Sequence, residues 1–463
     1  HNISLFGHYG YDNRLLFDVA LVESGSSRMA PGDKWAMSPN VSFAWNISNE
    51  KFMKNVKWLD FLKLRASWGN QVLDVLPGGD VWTYYDQFYL MNGVSYPFDA
   101  TYTGTQWGNT YLGTAKTQHI DHENASKFNV GFDATLFGGL NISADYYYQH
   151  RYDIWYSTAG SYSSVFGMTA PYEPVGVINS HGFDVSADYS KKLNKNLTIS
   201  LGGSLTLNKT IVKNQAEAPQ LYANTSSTGK RYGQAFGYIA DGFFQKSDDL
   251  NGDGIISASE MKELGYPIHN FTTIHPGDGK YVDLTGDETI DNNDRKAIGY
   301  SATAPELYYN FHLGAEYKGW GIDAMFQGVG KWTGFKTTNG LYRSAVANNT
   351  LSKYLYENSW SAERGNTENP KFPRLSATSN ANNNLNSTLN MFDRSYLKLR
   401  YVEMYYYLPS AWLNKIGFIN KVKLYARGTD LFTLDHLDEA DAASYGTTQP
   451  LTRSLQVGAA VTF

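Results

Sequence analysis

The sequence predicts an all-β fold, a transmembrane antiparallel β-barrel with long extracellular loops, and three observations carry that expectation. Apolar and polar residues alternate with period two over segments longer than the strands of most soluble proteins. The connections between those segments alternate between short and long. No apolar run reaches the 18 residues or so of a helical span, although aromatics make up 15 % of the 463 residues.

In chain order, strands are expected over Asn2 to Tyr11 and Arg14 to Glu23, then around Val41-Phe43-Trp45-Ile47 and Leu62-Leu64-Ala66-Trp68. Phe128-Val130-Phe132-Ala134-Leu136 and Leu140-Ile142-Ala144-Tyr146-Tyr148 come next, followed by Phe183-Val185-Ala187-Tyr189 and Leu197 to Leu207. Leu307 to Tyr317, Trp320 to Phe326, Ser395 to Leu408, Lys421 to Leu434 and Leu451 to Phe463 complete about thirteen strands. One of them changes phase, with Leu397 and Leu399 on odd positions but Val402, Met404, Tyr406 and Leu408 on even ones, so a bulge is expected near Arg400 or Tyr401.

A soluble sandwich also alternates, with its apolar face inward. Strand length separates the two folds, because a tilted membrane strand needs about 9–11 residues against about 5–6 in soluble proteins. Short connections are expected at Phe137-Gly138-Gly139, Lys191 to Asn196 and Lys318-Gly319, and with short helices at Asn49 to Asp60 and Pro409 to Asn420. The long ones are Val72 to His122, Asp153 to Ile178, Ile211 to Pro305 and Lys331 to Arg394. All fall on one side, taken as extracellular with the C-terminus periplasmic in a bacterial outer membrane. Polar positions such as Asp133, Asp145, Asn310, Glu316 and Asp323 suit a wet lumen, and aromatics at Trp68, Tyr146 to Tyr148, Trp320 and Tyr405 to Tyr407 suit interfacial girdles against lipid. An odd number of strands cannot close a single-chain barrel without edges, so the chain is expected to be the C-terminal part of a larger one.

With 39 Lys plus Arg against 44 Asp plus Glu, the net charge of −5 gives no basic excess for nucleic acid. The absence of Cys removes disulfides and thiolate chemistry. No G-x-S-x-G, HExxH or P-loop pattern occurs, and no enzyme activity is expected.

The sharpest local signal is Asp249-Leu250-Asn251-Gly252-Asp253-Gly254-Ile255-Ile256-Ser257-Ala258-Ser259-Glu260, which fits every position of the D-x-[DN]-x-[DN]-G-x5-E calcium loop. Asp249, Asn251 and Asp253 would give side-chain oxygens, Ile255 a carbonyl, Ser257 the ninth position and Glu260 a bidentate carboxylate, with Ile256 anchoring the loop. A solvated turn without metal is the alternative. A second stretch places Asp283, Thr285, Asp287, Thr289, Asp291 and Asp294 at the same spacing, but Glu288 replaces the glycine at position six, where a left-handed backbone is needed. Aromatic side chains in the outward loops, Trp82, Tyr84, Tyr85, Phe88, Tyr89 and Trp107 in the first and Tyr342, Tyr354, Tyr356 and Trp360 in the fourth, could face a ligand or a lid protein, or pack the loops together.

The ordered set of segments resembles the C-terminal half of SusC/RagA-type TonB-dependent outer-membrane transporters of Bacteroidetes. It rests on Tyr11-Asp12-Asn13-Arg14, Gly25-Ser26-Ser27-Arg28, Trp45-Asn46-Ile47-Ser48 with Phe52-Met53, Leu62 to Gly69, Asp145-Tyr146-Tyr147-Tyr148 and Asn179 to Asp184. Downstream it rests on Asp241-Gly242-Phe243-Phe244-Gln245, Pro276-Gly277-Asp278, Asp294-Arg295 with Ile298-Gly299, Pro373-Arg374-Leu375, Ser395 to Arg400 and Asp430-Leu431-Phe432-Thr433. Asp74 to Tyr111 matches nothing in that pattern. The resemblance implies a barrel of about 22 strands, of which this chain holds the last thirteen or so, an N-terminal plug and TonB-contact segment that this chain lacks, and a SusD-like surface lipoprotein as lid. It implies active import of oligomeric nutrients, glycans or peptides. A passive porin or surface-binding barrel, and a soluble β-rich carbohydrate-active enzyme, are the alternatives.

Overall fold

Thirteen long strands hydrogen-bond in the order in which the chain makes them, in a computed structural model that describes residues 1–75, 85, 88–89, 95–97, 106–108, 111–117, 120–344, 346, 350–414, 417–446 and 451–463. They are β1 (Asn2–Tyr11), β2 (Leu15–Gly25), β3 (Trp35–Asn46), β4 (Leu59–Leu73), β5 (Glu123–Leu136), β6 (Leu140–Ser157) and β7 (Tyr172–Lys192). Then follow β8 (Leu197–Asn214), β9 (Leu307–Tyr317), β10 (Trp320–Gly330), β11 (Tyr396–Tyr407), β12 (Lys421–Thr429) and β13 (Ser454–Thr462). Paired strands of this sheet run antiparallel, as in Asn2↔Ser24 to Tyr11↔Leu15. No helix among the described residues is long and apolar enough to cross a membrane.

Connections after odd-numbered strands, at 12–14, 47–58, 137–139, 193–196, 318–319 and 408–420, run to 13 residues at most, and those after even-numbered strands, at 26–34, 74–122, 158–171, 215–306, 331–395 and 430–453, reach 92 residues. Every connection longer than 13 residues therefore leaves an even-numbered strand. The expected loops at 153–178 and 211–305 are shorter than the alternation suggested, because β6 runs on to Ser157, β7 starts at Tyr172 and β8 extends to Asn214. The connection at 430–453 is a further long one, hidden by reading Lys421 to Leu434 as a single strand.

The chain divides into two compact units, residues 1–184 with 208–220 and 227–230, and residues 185–207 with 221–226 and 231–463. In the first, Phe17, Phe43, Leu64, Trp68, Phe128, Val130 and Phe132 share one face of the sheet and are exposed. A soluble sandwich would bury that face. The other face carries cross-strand charge. The Arg65 guanidinium donates from Nε to Asp133 Oδ2 at 2.8 Å and from Nη2 to Asp145 Oδ2 at 3.0 Å. It crosses between them over Gly131, its partner in register, where a Cβ would lie 2.4 Å from Asp145 Oδ1 and 2.6 Å from the Ala144 carbonyl. Half-exposed ion pairs contribute only about 0–1 kcal/mol each. Their larger effect is on register, since a slip of one residue would turn Arg65 onto the apolar face.

The second unit repeats the pattern. Leu313, Ile322, Met404, Leu424, Leu455, Val457 and Val461 are exposed on the apolar side. On the polar side the buried Glu403 carboxylate accepts from Arg427 Nε at 2.8 Å and from the Lys423 ammonium. Tyr405 and Tyr425 lie over Gly321 and Gly458, their direct cross-strand partners. Such pairs fill the gap a strand glycine leaves. The bulge falls where the phase change placed it: Met325 pairs with Tyr401 and Phe326 with Leu399, leaving Arg400 unpaired in the ladder. Arg400 then donates from Nη1 to Asp430 Oδ1 at 2.9 Å, and β11 changes partner there from β12 to the short strand Thr433–Asp435.

Of the expected girdle aromatics, Trp320 lies at a strand end and stacks on Tyr406 at 4.5 Å. Tyr146 to Tyr148 sit inside β6, away from its ends, because that strand runs nine residues further. Glu217, in the loop after β8, shows how a long loop is tied. Burial pushes its carboxyl up, but N–H and O–H bonds from Ser227 and Thr228 at 2.7–3.1 Å outweigh that and hold it at about 2, against an ordinary 4.5.

Two outcomes follow from this packing. Gly131→Val should cost the folded barrel about 1–3 kcal/mol by overpacking, read as a lower urea midpoint in detergent; an unchanged midpoint would refute the crossing geometry. For Glu217 the folded value lies below the unfolded one, so the tie is at full strength above pH 4.5 or so and weakens as pH falls towards 2. Amide exchange across 217–228 should lose protection in that window, and Glu217→Gln should remove the pH dependence.

Candidate functional site

The buried apolar clusters of the second unit are built mainly from loop residues. Phe244, Ile256, Met261 and Ile274 form one cluster, and Tyr238, Tyr281 and Ile290 another. The largest gathers Val329, Tyr342, Leu355, Phe372, Phe392, Tyr396, Leu437 and Ala442. These clusters hold the two acidic stretches in place, with Ile256 and Ile290, the eighth residue of each, buried.

The first acidic loop winds around its own carboxylates. Asp249 Oδ1 accepts from Gly252 N and Oδ2 from Gly254 N, both at 2.8 Å, and Asp253 Oδ1 accepts from Ile255 N at 2.8 Å. Glu260 Oε1 accepts from Leu250 N and Asn251 N, while Oε2 accepts from Ser257 N at 2.8 Å and Ser257 Oγ at 2.7 Å. Ser257 is thereby the N-cap of the helix Ala258–Glu263, in a reciprocal capping box with Glu260. Hydrogen bonds from Ser257 and the loop amides hold the Glu260 carboxyl below its ordinary range.

The second loop reproduces that pattern position by position. Asp283 Oδ1 accepts from Gly286 N at 2.7 Å and Oδ2 from Glu288 N at 2.8 Å, and Asp287 Oδ1 from Thr289 N at 3.0 Å. Asp294 Oδ1 accepts from Leu284 N and Thr285 N and Oδ2 from Asp291 N, with Asp291 capping the turn that follows. Glu288 takes φ +64°, beside +84° for Gly254, so the backbone objection to this loop is overturned. Burial pushes the Asp283 carboxyl up, but the Gly286, Glu288 and Thr285 bonds prevail and hold it low.

Among the described residues no three Asp, Glu or His side chains converge as a metal-holding group. The expected bidentate ligand, Glu260, is instead engaged with backbone amides and with Ser257, and so is Asp294 in its own loop. The donor set is nevertheless uniformly hard oxygen; Asp249 and Asp253 keep lone pairs beyond the N–H bonds they accept, whereas the four bonds to Glu260 occupy both of its oxygens. In composition both loops fit a hard divalent cation.

Between them lies a feature that spacing did not flag. Asp278 is wholly buried and ion-paired with Arg374, whose Nε lies 2.7 Å away and whose Nη2 donates to it at 3.3 Å; it accepts too from Asn380 Nδ2 at 3.0 Å, Asn383 Nδ2 at 2.8 Å and His275 N at 2.9 Å. Asn382 donates to the Gly279 carbonyl at 2.7 Å and receives the Tyr281 hydroxyl on its own carbonyl at 2.8 Å. Gly277, at φ +92°, lies under the Trp360 ring, where a Cβ would approach to 2.3 Å. The Pro276-Gly277-Asp278 and Pro373-Arg374-Leu375 stretches are thus two halves of one contact.

The aromatic expectations divide. Trp82 and Tyr84 lie outside the described residues, as do the side chains of Phe88, Tyr89 and Trp107. Tyr85 is exposed. Tyr342 and Trp360 are buried and Tyr354 is half-buried against Tyr342 and Phe372, its hydroxyl donating to Asp438 Oδ2 at 2.6 Å. These three pack the loops together, and Tyr342 also lines a cavity between them. Tyr356 is exposed, with the Arg364 guanidinium 4.1 Å over its ring.

Long antiparallel strands in chain order, an exposed apolar face and long loops with buried clusters of their own define the wall of an outer-membrane β-barrel. Comparison with known proteins agrees. The chain is similar to TonB-dependent receptor P3 of Formosa agariphila, 23 % identical over 455 residues, 95 % of this chain and 42 % of that protein. It is similar to TonB-dependent receptor SusC of Bacteroides thetaiotaomicron, 25 % identical over 306 residues, 63 % of this chain and 28 % of that one. The RagAB peptide importer in its open-open state superposes with a TM-score of 0.72 at 19 % identity, over all of this chain and 47 % of that one. No family model matches. The chain spans about two fifths of the length of the receptor P3 that it matches, and over that barrel part the likeness to SusC-type TonB-dependent transporters holds.

Arg374→Met would strand the Asp278 charge in the loop core and should destabilise it by about 3–5 kcal/mol. Limited proteolysis should then cut within 231–306 while the wall stays heat-modifiable, and Arg374→Met with Asp278→Asn should regain part of the loss. Equal proteolysis of wild type and Arg374→Met would contradict the assignment.

Proposed function

We propose that this chain forms the C-terminal wall and outward loops of an outer-membrane importer of oligomeric nutrients, glycan or peptide. The observation that carries the reading is the combination of an exposed apolar sheet face with long connections that build their own buried cores. A wall of this kind makes and breaks no bond. Its polar face, laced by Arg65, Asp133, Asp145, Glu403, Lys423 and Arg427, lines a wet lumen, and its loops shape the outer mouth. The likeness to SusC and to the RagAB peptide importer supports a SusD-like lipoprotein as the lid over that mouth. Energy would come through TonB acting on a plug carried by the rest of the protein, with the long loops extracellular and the C-terminus periplasmic.

Calcium is the ion we propose for the paired loops. Asp249, Asn251, Asp253, the Ile255 carbonyl and Glu260 would hold it in the first, with Ser257 at the ninth position. Asp283, Thr285, Asp287, the Thr289 carbonyl, Asp291 and Asp294 would do so in the second. The ion supplies fixed positive charge that braces the loop; it takes no part in a reaction. A dissociation constant near 10⁻⁴ to 10⁻³ M, as in extracellular modules, would suffice.

Two measurements test these readings. Cells carrying the whole transporter should take up labelled oligomer in a manner abolished by collapsing the proton-motive force; uptake that survives would favour a passive pore. Calorimetry on calcium-stripped protein should give heats that Asp249→Ala and Glu260→Ala remove, and about 10 mM calcium should stabilise the loops by about 1.4–2.7 kcal/mol. Equal heats in wild type and variants would sink the ion.

A further inference from the structure

A cavity of about 200 Å³ lies in the loops of the second unit, between the turn at 338–343, the segment 372–376 and the asparagine-rich stretch 379–390. That is the volume of about seven waters, the scale of one sugar or amino-acid residue. Asn339 and Ser379 stand at its exposed rim.

Its charge is one-sided. Lys336, Arg343 and Arg374 line it, and no Asp or Glu does among the described residues. Arg374 is neutralised from behind by Asp278. The other two cations are not. Arg343 donates from Nη2 to the Asn384 carbonyl at 2.8 Å, but its buried Nε has no partner. The Lys336 ammonium stands 5.7 Å from the ring centroids of both Tyr342 and Phe372. Asp438, the carboxylate that acts on it, is already engaged by the Tyr354 hydroxyl at 2.6 Å and by Lys371 at 3.2 Å. Residues 345 and 347–349 of the adjoining segment are Ala, Ala, Asn and Asn, and add no charge.

Burial pulls both cations down from their ordinary ranges, Lys336 and Arg343 alike. Holding two cations in such a place without a counter-ion costs free energy that an arriving anion would recover. Guanidinium and ammonium together favour oxygen anions, bound by charge-assisted hydrogen bonds. The side-chain amides of Asn383, Asn384 and Asn390 line it as well; each spends one N–H on Asp278, the Ser379 hydroxyl or the Leu385 carbonyl and keeps a second to donate.

We infer that this cavity is a binding site for the carboxylate of a single sugar-acid or amino-acid residue, held between Lys336 and Arg343. The inference stands apart from the import reading, because it concerns binding to the purified protein and not transport. The same chemistry could come from a uronic acid or from a peptide terminus, so the test has an arm for each.

Titration calorimetry at low ionic strength on the whole detergent-solubilised protein would compare glucuronate with glucose, and N-acetylglycine with N-acetylglycinamide. One of the two carboxylates should bind at least about tenfold more tightly than its neutral counterpart, and the arm that responds identifies the source. Lys336→Gln should reduce that affinity about tenfold, and Arg343→Gln more, with proteolysis patterns confirming folded loops. Should Arg343→Gln fail to fold, Lys336→Gln and the charged-against-neutral comparison in wild type still decide. Equal affinity for charged and neutral probes, no binding by either carboxylate, or an unchanged Lys336→Gln variant would overturn the site.

Discussion

A polypeptide that crosses hydrocarbon as strands must hand every backbone N–H and C=O to a neighbouring strand, because no water is there to accept them. Much of this chain follows from that one requirement. Neighbours in sequence become neighbours in the sheet, since the cheapest partner for a strand is the next one. The turns that join them on one side then need only two or three residues, as at Lys318 and Gly319. Length that the wall does not need accumulates on the other side, where water tolerates irregular backbone.

The loops then face a difficulty of their own, because a sheet that turns most of its apolar residues outward offers them few, Val329 and Tyr396 among them. They respond by folding on one another. Asp278 and Arg374, 96 residues apart, supply a buried charge pair at the centre of that contact, and the asparagines around it satisfy the remaining acceptor sites of the carboxylate. Tyr342, Leu355 and Phe372 supply the apolar counterpart. A buried pair of this kind adds little net stability but is costly to break, so it enforces one arrangement of the loops over others.

The wall was largely legible before the structure. Period-two alternation located all thirteen strands, and a change of phase located the bulge at Arg400. Strand ends were less legible: β6 and β7 continue past the apolar alternation, since backbone pairing persists where neither face needs to be apolar. The loops resisted for a different reason. Whether Tyr342 is a ligand platform or a core residue depends on contacts with Phe372 and Tyr445, far away in sequence, and no local pattern reports those. The cavity cations escaped notice likewise, because Lys336 and Arg343 are ordinary letters until the absence of an opposing carboxylate is seen. The acidic loops sit between these cases, as their spacing was plain but the role of Glu260 and Asp294 as clasps for backbone amides was not.

The two loops share one geometry under different letters. With Glu288 where the first has glycine and Asp294 where it has glutamate, the second loop makes the same six amide-to-carboxylate contacts as the first. What the two share is a wiring diagram anchored on the acids at positions one, five and twelve and the glycine at position four. A search by letters that insists on glycine at six and glutamate at twelve would count one loop in this chain, where the backbone holds two.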